Sequence, residues 1–485
     1  MTPIDSSSIL AGWQAMLPTL VVVVVAVIAM AADLISRKPD ADATVAVGVL
    51  GLAGAVAVSA ALWGSEPVAG LSGTLRLDRF ALFFAMLACL SALLTISLSI
   101  EYVREQPIAA GDYYTLVLLA TTGMILMAAA ADLVVVFLAL EVMSVAVYVL
   151  AGMLRGDLRS NEAALKYFLL GAFASAFLLY GIALVYGATG STRLDALASA
   201  VREGPDALLL VGIALVLVGL AFKVALAPFH AWTPDVYEGA PTTVTVFMAV
   251  GVKAAGFAAL ARLATAALEP TPAWEPMLWT LAALTMTIGN AAALVQTSVK
   301  RMLAYSSIAH AGYAAVGLVA GGAEGGAALL FYLVVYTFMN VGAFGVLLAL
   351  ARRGEPGERL ADLAGVGLRH PILGIAMTVC MLSLAGMPLT AGFAGKFYLF
   401  SAALDAGHVG LVVVAVVNSL VSVAYYLGVL VPMYMADGER ALEPPASRPW
   451  LLGTIVVAVA VTLLIGLDPS GPLAIAQSAY LSLAR

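Results

Sequence analysis

Charge is scarce along this chain of 485 residues: Asp, Glu, Lys and Arg make up 11% of it, against 63% hydrophobic residues. Soluble domains carry about 25% charged residues, so this chain cannot cover itself with a water-compatible surface and reads as a membrane protein. Cysteine is nearly absent. Cys89 and Cys380 stand in separate apolar stretches with no Cys/His spacing, which excludes a disulfide framework and a cysteine-based metal site and leaves both as packing residues. Neither the dinucleotide-binding glycine fingerprint nor a phosphate-binding P-loop occurs. No polar stretch is long enough for a soluble domain, so nucleotide, flavin or ATP chemistry would have to reside in a partner. With a net charge of −6 and no basic run, nothing points to nucleic acid.

What is abundant is apolar sequence in helix-length pieces. A spanning helix needs about 20 such residues, and fourteen stretches qualify: 11–35, 44–64, 79–101, 112–131, 132–153, 161–187, 206–230, 241–264, 274–296, 301–320, 324–351, 371–403, 408–435 and 450–467. The connections are short, and the one over 436–450, rich in Pro and Arg, reads as a flexible linker. The expected architecture is an all-α polytopic bundle. Its first stretch contains Ala29-Met30-Ala31, which resembles a signal-peptide cleavage site, but no Lys or Arg precedes it and Arg37 and Lys38 follow it. That is the reverse of a signal peptide, so the helix is expected to be retained, with the N-terminus outside. Of the 23 Lys and Arg, fourteen then fall on inner loops or helix ends and six on the outer side, in keeping with the positive-inside rule.

Three basic residues fit neither side. Lys223, Lys253 and Lys396 lie well inside apolar spans, where insertion costs about 2.5–3.5 kcal/mol for each ammonium. Lys166, one turn into its span, is close enough to the interface to snorkel. Glu141 is the matching anion, near the middle of the fifth span with no other acid within a helical turn. Burial disfavours the charged forms of a lysine and a carboxylate in general, and pairing restores them. A Glu and a Lys on different helices whose spacing changes therefore exchange proton affinity, which is what a proton pump requires. His230 stands beside a helix break and His310 inside the tenth span, both candidates for titratable bridges. No second histidine is placed to pair with either as a haem ligand.

The chain also repeats itself faintly. Ala163-Ala164-Leu165-Lys166-Tyr167-Phe168-Leu169, opening the sixth span, resembles Ala327-Ala328-Leu329-Leu330-Phe331-Tyr332-Leu333, opening the eleventh. A shift of five helices inverts one unit relative to the other, as in transporters built from inverted repeats. Breaks recur at matching places, Ala227-Pro228 in the seventh span and Gly386-Met387-Pro388 in the twelfth.

These residues carry a family resemblance. Phe222-Lys223-Val224-Ala225-Leu226-Ala227-Pro228-Phe229-His230-Ala231-Trp232-Thr233-Pro234-Asp235 resembles the junction of the seventh and eighth helices in the antiporter-like subunits of respiratory complex I. The continuation Asp235-Val236-Tyr237-Glu238-Gly239-Ala240-Pro241 looks specifically like the branch containing bacterial relatives of mitochondrial NADH dehydrogenase subunit 2. Sister subunits M and L and the Mrp-type antiporters share the first part but usually continue differently. Glu141 with Tyr148, Glu162 with Lys166-Tyr167-Phe168, Lys300-Arg301 with Tyr305-Ser306-Ser307 and His310, and Gly386 through Gly395-Lys396-Phe397 add to the resemblance, which covers spans five to twelve.

The resemblance implies fourteen helices, two inverted five-helix repeats and broken helices 7 and 12. The units would be 1–111 (helices 1–3), 112–264 (first repeat), 274–435 (second repeat) and 436–485 (linker and last helix). Carried over by position, Glu141 and Lys223 would form a coupled ion pair, Lys253 a central relay and Lys396 the residue toward the exit. Lys166, His230 and His310 would support them. The implied activity is proton translocation in the inner membrane of a bacterium, coupled to NADH-quinone oxidoreduction. NADH, FMN, iron–sulfur clusters and quinone would be bound by other subunits, and the neighbours would be lipid, antiporter-like subunit M and the small membrane subunits. A subunit of an Mrp-type cation/proton antiporter and a non-conducting assembly scaffold are the rival readings.

Overall fold

The computed structural model describes residues 6–35, 41–268, 274–351, 358–436 and 448–483. Arg37, Lys38, Arg352, Arg353, Arg440 and Arg485, six of the basic residues counted for topology, lie outside the described residues, as does most of the linker expected over 436–450.

The chain folds as α1 (Ser6–Ile35), α2 (Ala41–Ala61), a hairpin of β1 (Val68–Gly70) and β2 (Leu75–Leu77), then α3 (Arg79–Glu105), α4 (Ala110–Ala129), α5 (Leu133–Ala151) and α6 (Leu158–Thr189). There follow α7 (Leu194–Glu203), α8 (Ala207–Val224), α9 (Thr233–Gly239), α10 (Thr242–Phe247), α11 (Lys253–Leu263), α12 (Glu275–Ala293), α13 (Val299–Ala320) and α14 (Gly322–Leu350). The last elements are α15 (Val366–Arg369), α16 (Pro371–Ala385), α17 (Ala391–Asp405), α18 (Val409–Met435), α19 (Pro449–Leu467) and α20 (Ser470–Leu481). Among the described residues, twelve helices are long and apolar enough to cross a membrane, α10 and α11 counting as one. The expected ninth span, α12, and the expected twelfth, split into α16 and α17, are not among these twelve.

Helix starts follow from short polar residues placed just before apolar runs. Asp78, Asp132, Asp157 and Asp206 each accept a hydrogen bond from a backbone N–H in the first turn of the helix that follows, at 2.7–2.9 Å. Each satisfies a donor that the helix cannot pair internally. The breaks are equally local. After α8, Ala225 takes a left-handed conformation (φ 62°) and the Ala227–Pro228 peptide is cis. After α16, Gly386 (φ 89°) and Leu389 (φ 69°) turn the chain into α17.

Small residues set the closest helix pairs, as expected where lipid removes the hydrophobic drive for association. A Cβ on Gly123 of α4 would lie 2.6 Å from the Met143 amide of α5, and one on Gly312 of α13 would lie 2.6 Å from the Met286 amide of α12. α10, α11, α13 and α14 are buried almost throughout and form the centre. α1, α2, α6, α18 and α19 enclose it and turn Val, Leu and Phe outward.

The hairpin was not foreseen, because three-residue strands carry too little alternation to register as a period. It pairs Val68 with Leu77 and Gly70 with Leu75, and it extends to the α4–α5 turn through Ala131 N–H donating to Thr74 O at 2.8 Å. Beneath it, Arg262 of α11 clasps Asp78 at 2.8 and 3.0 Å and donates to the Ala128 carbonyl at 2.5 Å. Both partners are fully enclosed, with side chains 4% and 0% exposed. Removing one partner of a buried pair strands the other, at about 3–5 kcal/mol. Arg262→Met should therefore lower the thermal unfolding midpoint of the assembled complex markedly. An unchanged midpoint would show the pair to be dispensable.

Candidate functional site

Lys223 closes the last turn of α8, two residues before the break. It is buried, and its ammonium donates to Ser144 Oγ at 2.8 Å and to Tyr167 OH at 3.2 Å. The rings of Tyr167 and Tyr148 lie 5.2 and 5.6 Å away, so aromatic faces supply part of the stabilisation that water would otherwise give. The direct ion pair expected with Glu141 is not formed: among the described residues no carboxylate lies within 4 Å of Lys223. Glu141 sits one turn before Ser144 on α5 and accepts from Ser175 Oγ of α6 at 2.5 Å. A cavity of about 10 Å³, lined among others by Ser175, Tyr148 and Lys223, lies between the two arrangements. That is close to the smallest volume that holds one water. Ser144, one turn from Glu141 on α5, meets the Lys223 ammonium where the carboxylate was expected, and the carboxylate turns to Ser175.

Lys253 heads α11, directly after a π-helical turn over Met248–Val252. Such a bulge shifts the helical phase, and the side chain reaches α13, where its ammonium donates to the Ser307 carbonyl at 2.5 Å and also to Ser307 Oγ. The stem of Lys223 lies across Gly256, one turn further along α11, where a Cβ would be 3.7 Å from Lys223 Cγ. An aromatic row joins the two lysines. Tyr167 stacks on Trp232 at 4.3 Å, Trp232 meets Tyr237 at 6.1 Å, and the Tyr237 hydroxyl reaches Ser307.

From Ser307 the polar file continues along α13. Ser306 Oγ and Tyr426 OH are 2.5 Å apart, Tyr426 OH is 3.0 Å from His310 Nε2, and His310 Nδ1 is 2.5 Å from Tyr332 OH. Next to it, Tyr425 OH donates to Asn290 Oδ1 at 2.9 Å, and Asn290 Nδ2 lies 3.3 Å from Tyr313 OH. Lys396 of α17 stands 4.8 Å over the Tyr313 ring. Its ammonium donates to the carbonyls of Leu384 and Ala385, both at 3.0 Å, and to Ser419 Oγ at 2.9 Å. The break after α16 explains this. The last carbonyls of a helix have no internal partner and carry its negative dipole end, so interrupting the twelfth span builds the receptor for the lysine that follows it.

Two of the predicted residues stand apart from this file. Lys166 lies at the edge of the bundle, paired with Glu162 at 2.7 Å and Asp235 at 2.6 Å. Arg301 joins the same group, with 2.9 Å to Asp235 and 2.5 Å to Glu238. His230 lies in the turn between α8 and α9, and its Nδ1 is buried without a hydrogen-bond partner. Lys166 is next to Tyr167 on α6, but its ammonium turns to Glu162 and Asp235 and not toward Lys223. Conversely, sequence reasoning missed Tyr426, Tyr332, Tyr313, Asn290 and the two serines as members. Ser306 and Ser307 lie between Lys300-Arg301 and His310 in the chain, but the tyrosines are spread over α13, α14 and α18, and no spacing along the chain unites them. Among the described residues there is no cluster of three or more His, Cys, Asp or Glu that could hold a metal ion.

The edge group has a clear acid–base signature. Burial works against the charged form of Asp235, but hydrogen bonds from Lys166 and Arg301 outweigh it and hold the carboxyl below the ordinary range. A depressed carboxyl contributes stability above its unfolded value, about 3.9, and that contribution is lost as pH falls through the lower folded value. Asp235→Asn should thus flatten the acid limb of the stability profile below about pH 4. A thermal unfolding series across that range checks this, and an unaltered acid limb would contradict the assignment.

A file of buried lysines, tyrosines and serines strung across two broken helices places the protein in a class of membrane transport subunits. Residues 130–422 match the family described as NADH:quinone oxidoreductase/Mrp antiporter, transmembrane, and the chain belongs to that family. Within it, the similarity runs to subunit N of NADH-quinone oxidoreductase: 49% identity to that of Trichlorobacter lovleyi over 89% of both chains, and 46% to that of Chloroflexus aggregans over 95% of both. The fold is similar to a chain of respiratory complex I from Thermus thermophilus, with a TM-score of 0.82, 41% identity and coverage of 94% and 98%. A chain of the Mrp complex from Dietzia shares the fold at a TM-score of 0.86, with 24% identity and coverage of 97% and 98%.

Proposed function

We propose that this chain carries protons across the membrane as a membrane-arm subunit of NADH-quinone oxidoreductase, along the file from Glu141 and Lys223 through Lys253 to Lys396. The observation that carries the reading is the near-continuous polar path between Lys253 and Lys396. Hydroxyl groups that both donate and accept, and an imidazole with two ring nitrogens, can hand a proton on and reset by rotation. Each ammonium faces neutral oxygens and aromatic rings, with no carboxylate within 4 Å among the described residues, so its charge depends on groups one step away. A displacement of α5 that changes the Glu141–Lys223 spacing alters the proton affinity of the pair, and the file relays the result.

Fourteen spans in two inverted units, 112–264 and 274–435, flanked by 1–111 and 436–485, suit this reading. Support comes from the like pairing of α4 with α5 and of α12 with α13 through glycine, and from the left-handed break after α8 and after α16. The N-terminus is placed outside. Arg104, Arg155, Arg159, Lys166, Lys300, Arg301, Arg359, Arg369 and Arg448 lie on the face opposite the hairpin, against Arg76, Arg79, Arg193, Arg202 and Arg262 on its own, and basic residues favour the cytoplasmic side. The membrane is the bacterial inner membrane, and the neighbours are antiporter-like subunit M, the small membrane subunits and lipid. NADH, FMN, iron–sulfur clusters and quinone are assigned to other subunits, since the connections here are too short to form a domain for them.

Reconstituted complex distinguishes a relay from a scaffold. Proton transfer through a positioned side chain is worth about 10²–10⁴-fold in rate, so Lys253→Ala or Lys223→Ala should abolish most of this subunit's share of protons moved per NADH while assembled complex remains. Tyr426→Phe, which removes one hydroxyl from the path, should slow pumping-coupled turnover by about tenfold, the effect of about 1.4 kcal/mol. If the lysine variants only lower the amount of complex, and what assembles pumps normally, the chain is a scaffold and the relay is wrong.

A further inference from the structure

On the hairpin face lies a cavity that the polar file does not use. It has a volume of about 540 Å³, and its charged lining is Arg76, Arg193, Arg202, Arg262 and Asp195. Two of the arginines have structural work. Arg262 is held by Asp78, and Arg193 is held by Asp195 at 2.6 and 3.0 Å while donating to the Ser72 carbonyl at 2.8 Å. The other two are not consumed in this way. Among the described residues the Arg76 side chain pairs with Asp78 alone, at 3.5 Å through Nε, with its terminal nitrogens unused, and Arg202, exposed at the end of α7, makes no hydrogen bond or ion pair. Counting Asp78, the site carries four guanidinium groups against two carboxylates.

The walls are fixed before any ligand arrives. Leu133 N–H donates to Thr192 O at 2.8 Å and Leu194 N–H to Ala131 O at 3.0 Å, tying the loop before α7 to the α4–α5 turn, and the hairpin is tied to the same turn. Gly73, at φ 85°, lets the Arg193 guanidinium lie where a Cβ would sit 2.3 Å from its nitrogen. Leu75, Leu194 and Leu483 give the cavity an apolar side. It opens at the ends of the spanning helices, the level at which phospholipid headgroups lie.

We infer that this cavity is a binding site for a phosphate-bearing anion, held by Arg76 and Arg202 over the floor made by Arg193 and Arg262. Planar guanidinium groups pair with phosphate oxygens through two parallel hydrogen bonds, and a preformed site loses little on binding. Two sources share that chemistry, an anionic phospholipid headgroup with its acyl chains along the apolar side, and free inorganic phosphate. The site is independent of the proton path, since none of its residues belongs to it.

The test uses the assembled complex, delipidated and held in neutral detergent with phosphatidylcholine. Dioleoylphosphatidylglycerol and inorganic phosphate are titrated separately, and bound ligand is read by native mass spectrometry. Wild-type complex should bind one phosphate-bearing ligand that Arg76→Gln/Arg202→Gln loses by at least about tenfold. Arg202→Gln alone should show a smaller loss, and it keeps the test open if the double variant assembles poorly. Arg155→Gln, on the opposite face, should bind as wild type, and raising the salt should weaken binding. Binding of phosphatidylglycerol alone identifies a lipid headgroup, and equal binding of phosphate identifies the free anion. Absence of both, equal affinity in Arg202→Gln and the double variant, or retention of phosphatidylcholine in place of the anion would overturn the proposal.

Discussion

Lys223, Lys253 and Lys396 place ammonium groups where packed side chains and lipid exclude bulk water, and each must be surrounded by oxygen atoms or aromatic faces. Much of the fold answers that demand. An ammonium in a spanning helix costs about 2.5–3.5 kcal/mol if nothing meets it, and here Ser144, Tyr167, Ser307, Ser419 and the terminal carbonyls of α16 do so. The helices are broken or bulged beside all three lysines: the left-handed turn after Val224, the π turn before Lys253 and the interruption before Lys396. For Lys396 the interruption supplies the acceptors, the end carbonyls of α16, whereas Lys223 is met by the hydroxyls of Ser144 and Tyr167 and Lys253 by Ser307 within the continuous α13.

The same arrangement leaves the charges adjustable. A lysine locked against a carboxylate would hold its proton through any modest movement, whereas one held by neutral oxygens responds to the approach of an acid. Glu141 is bonded to Ser175 one turn from Ser144, which holds Lys223, and a water-sized cavity lined by Ser175, Tyr148 and Lys223 lies beside them. Further along, Tyr426 touches both Ser306 and His310, so one hydroxyl connects α18 to successive turns of α13.

Around this adaptable centre the protein is rigid. Arg262 and Asp78 fasten α11 to the start of α3, and backbone bonds tie the hairpin to the α4–α5 turn and that turn to the loop before α7. Arg301, Lys166 and Asp235 fasten the opposite face. Between these two ends lie the mid-membrane breaks, where the backbone has fewer internal hydrogen bonds. The hairpin end also carries the arginine-lined cavity, and Arg262 of that clamp is part of its lining.

By itself the sequence determined that the chain lives in a membrane, which long apolar stretches are helices, where the seventh and twelfth spans break and which lysines are anomalous, because these depend on local composition and on the backbone chemistry of Pro and Gly. It also carried the family, through the stretch from Phe222 to Pro241. Tertiary structure alone decided what each lysine touches. Lys223 meets Ser144 and Tyr167 where an ion pair with Glu141 was expected, because the Glu141 carboxylate turns to Ser175 of α6. Lys166 meets Glu162 and Asp235 because the turn after α8, in which His230 lies, brings α9 back against the start of α6. Tyr332, Tyr426 and Asn290 joined it because α12, α14 and α18 converge on α13 from positions far apart in the chain, and a polar residue in an apolar span shows its meaning only when its partner's helix is in place.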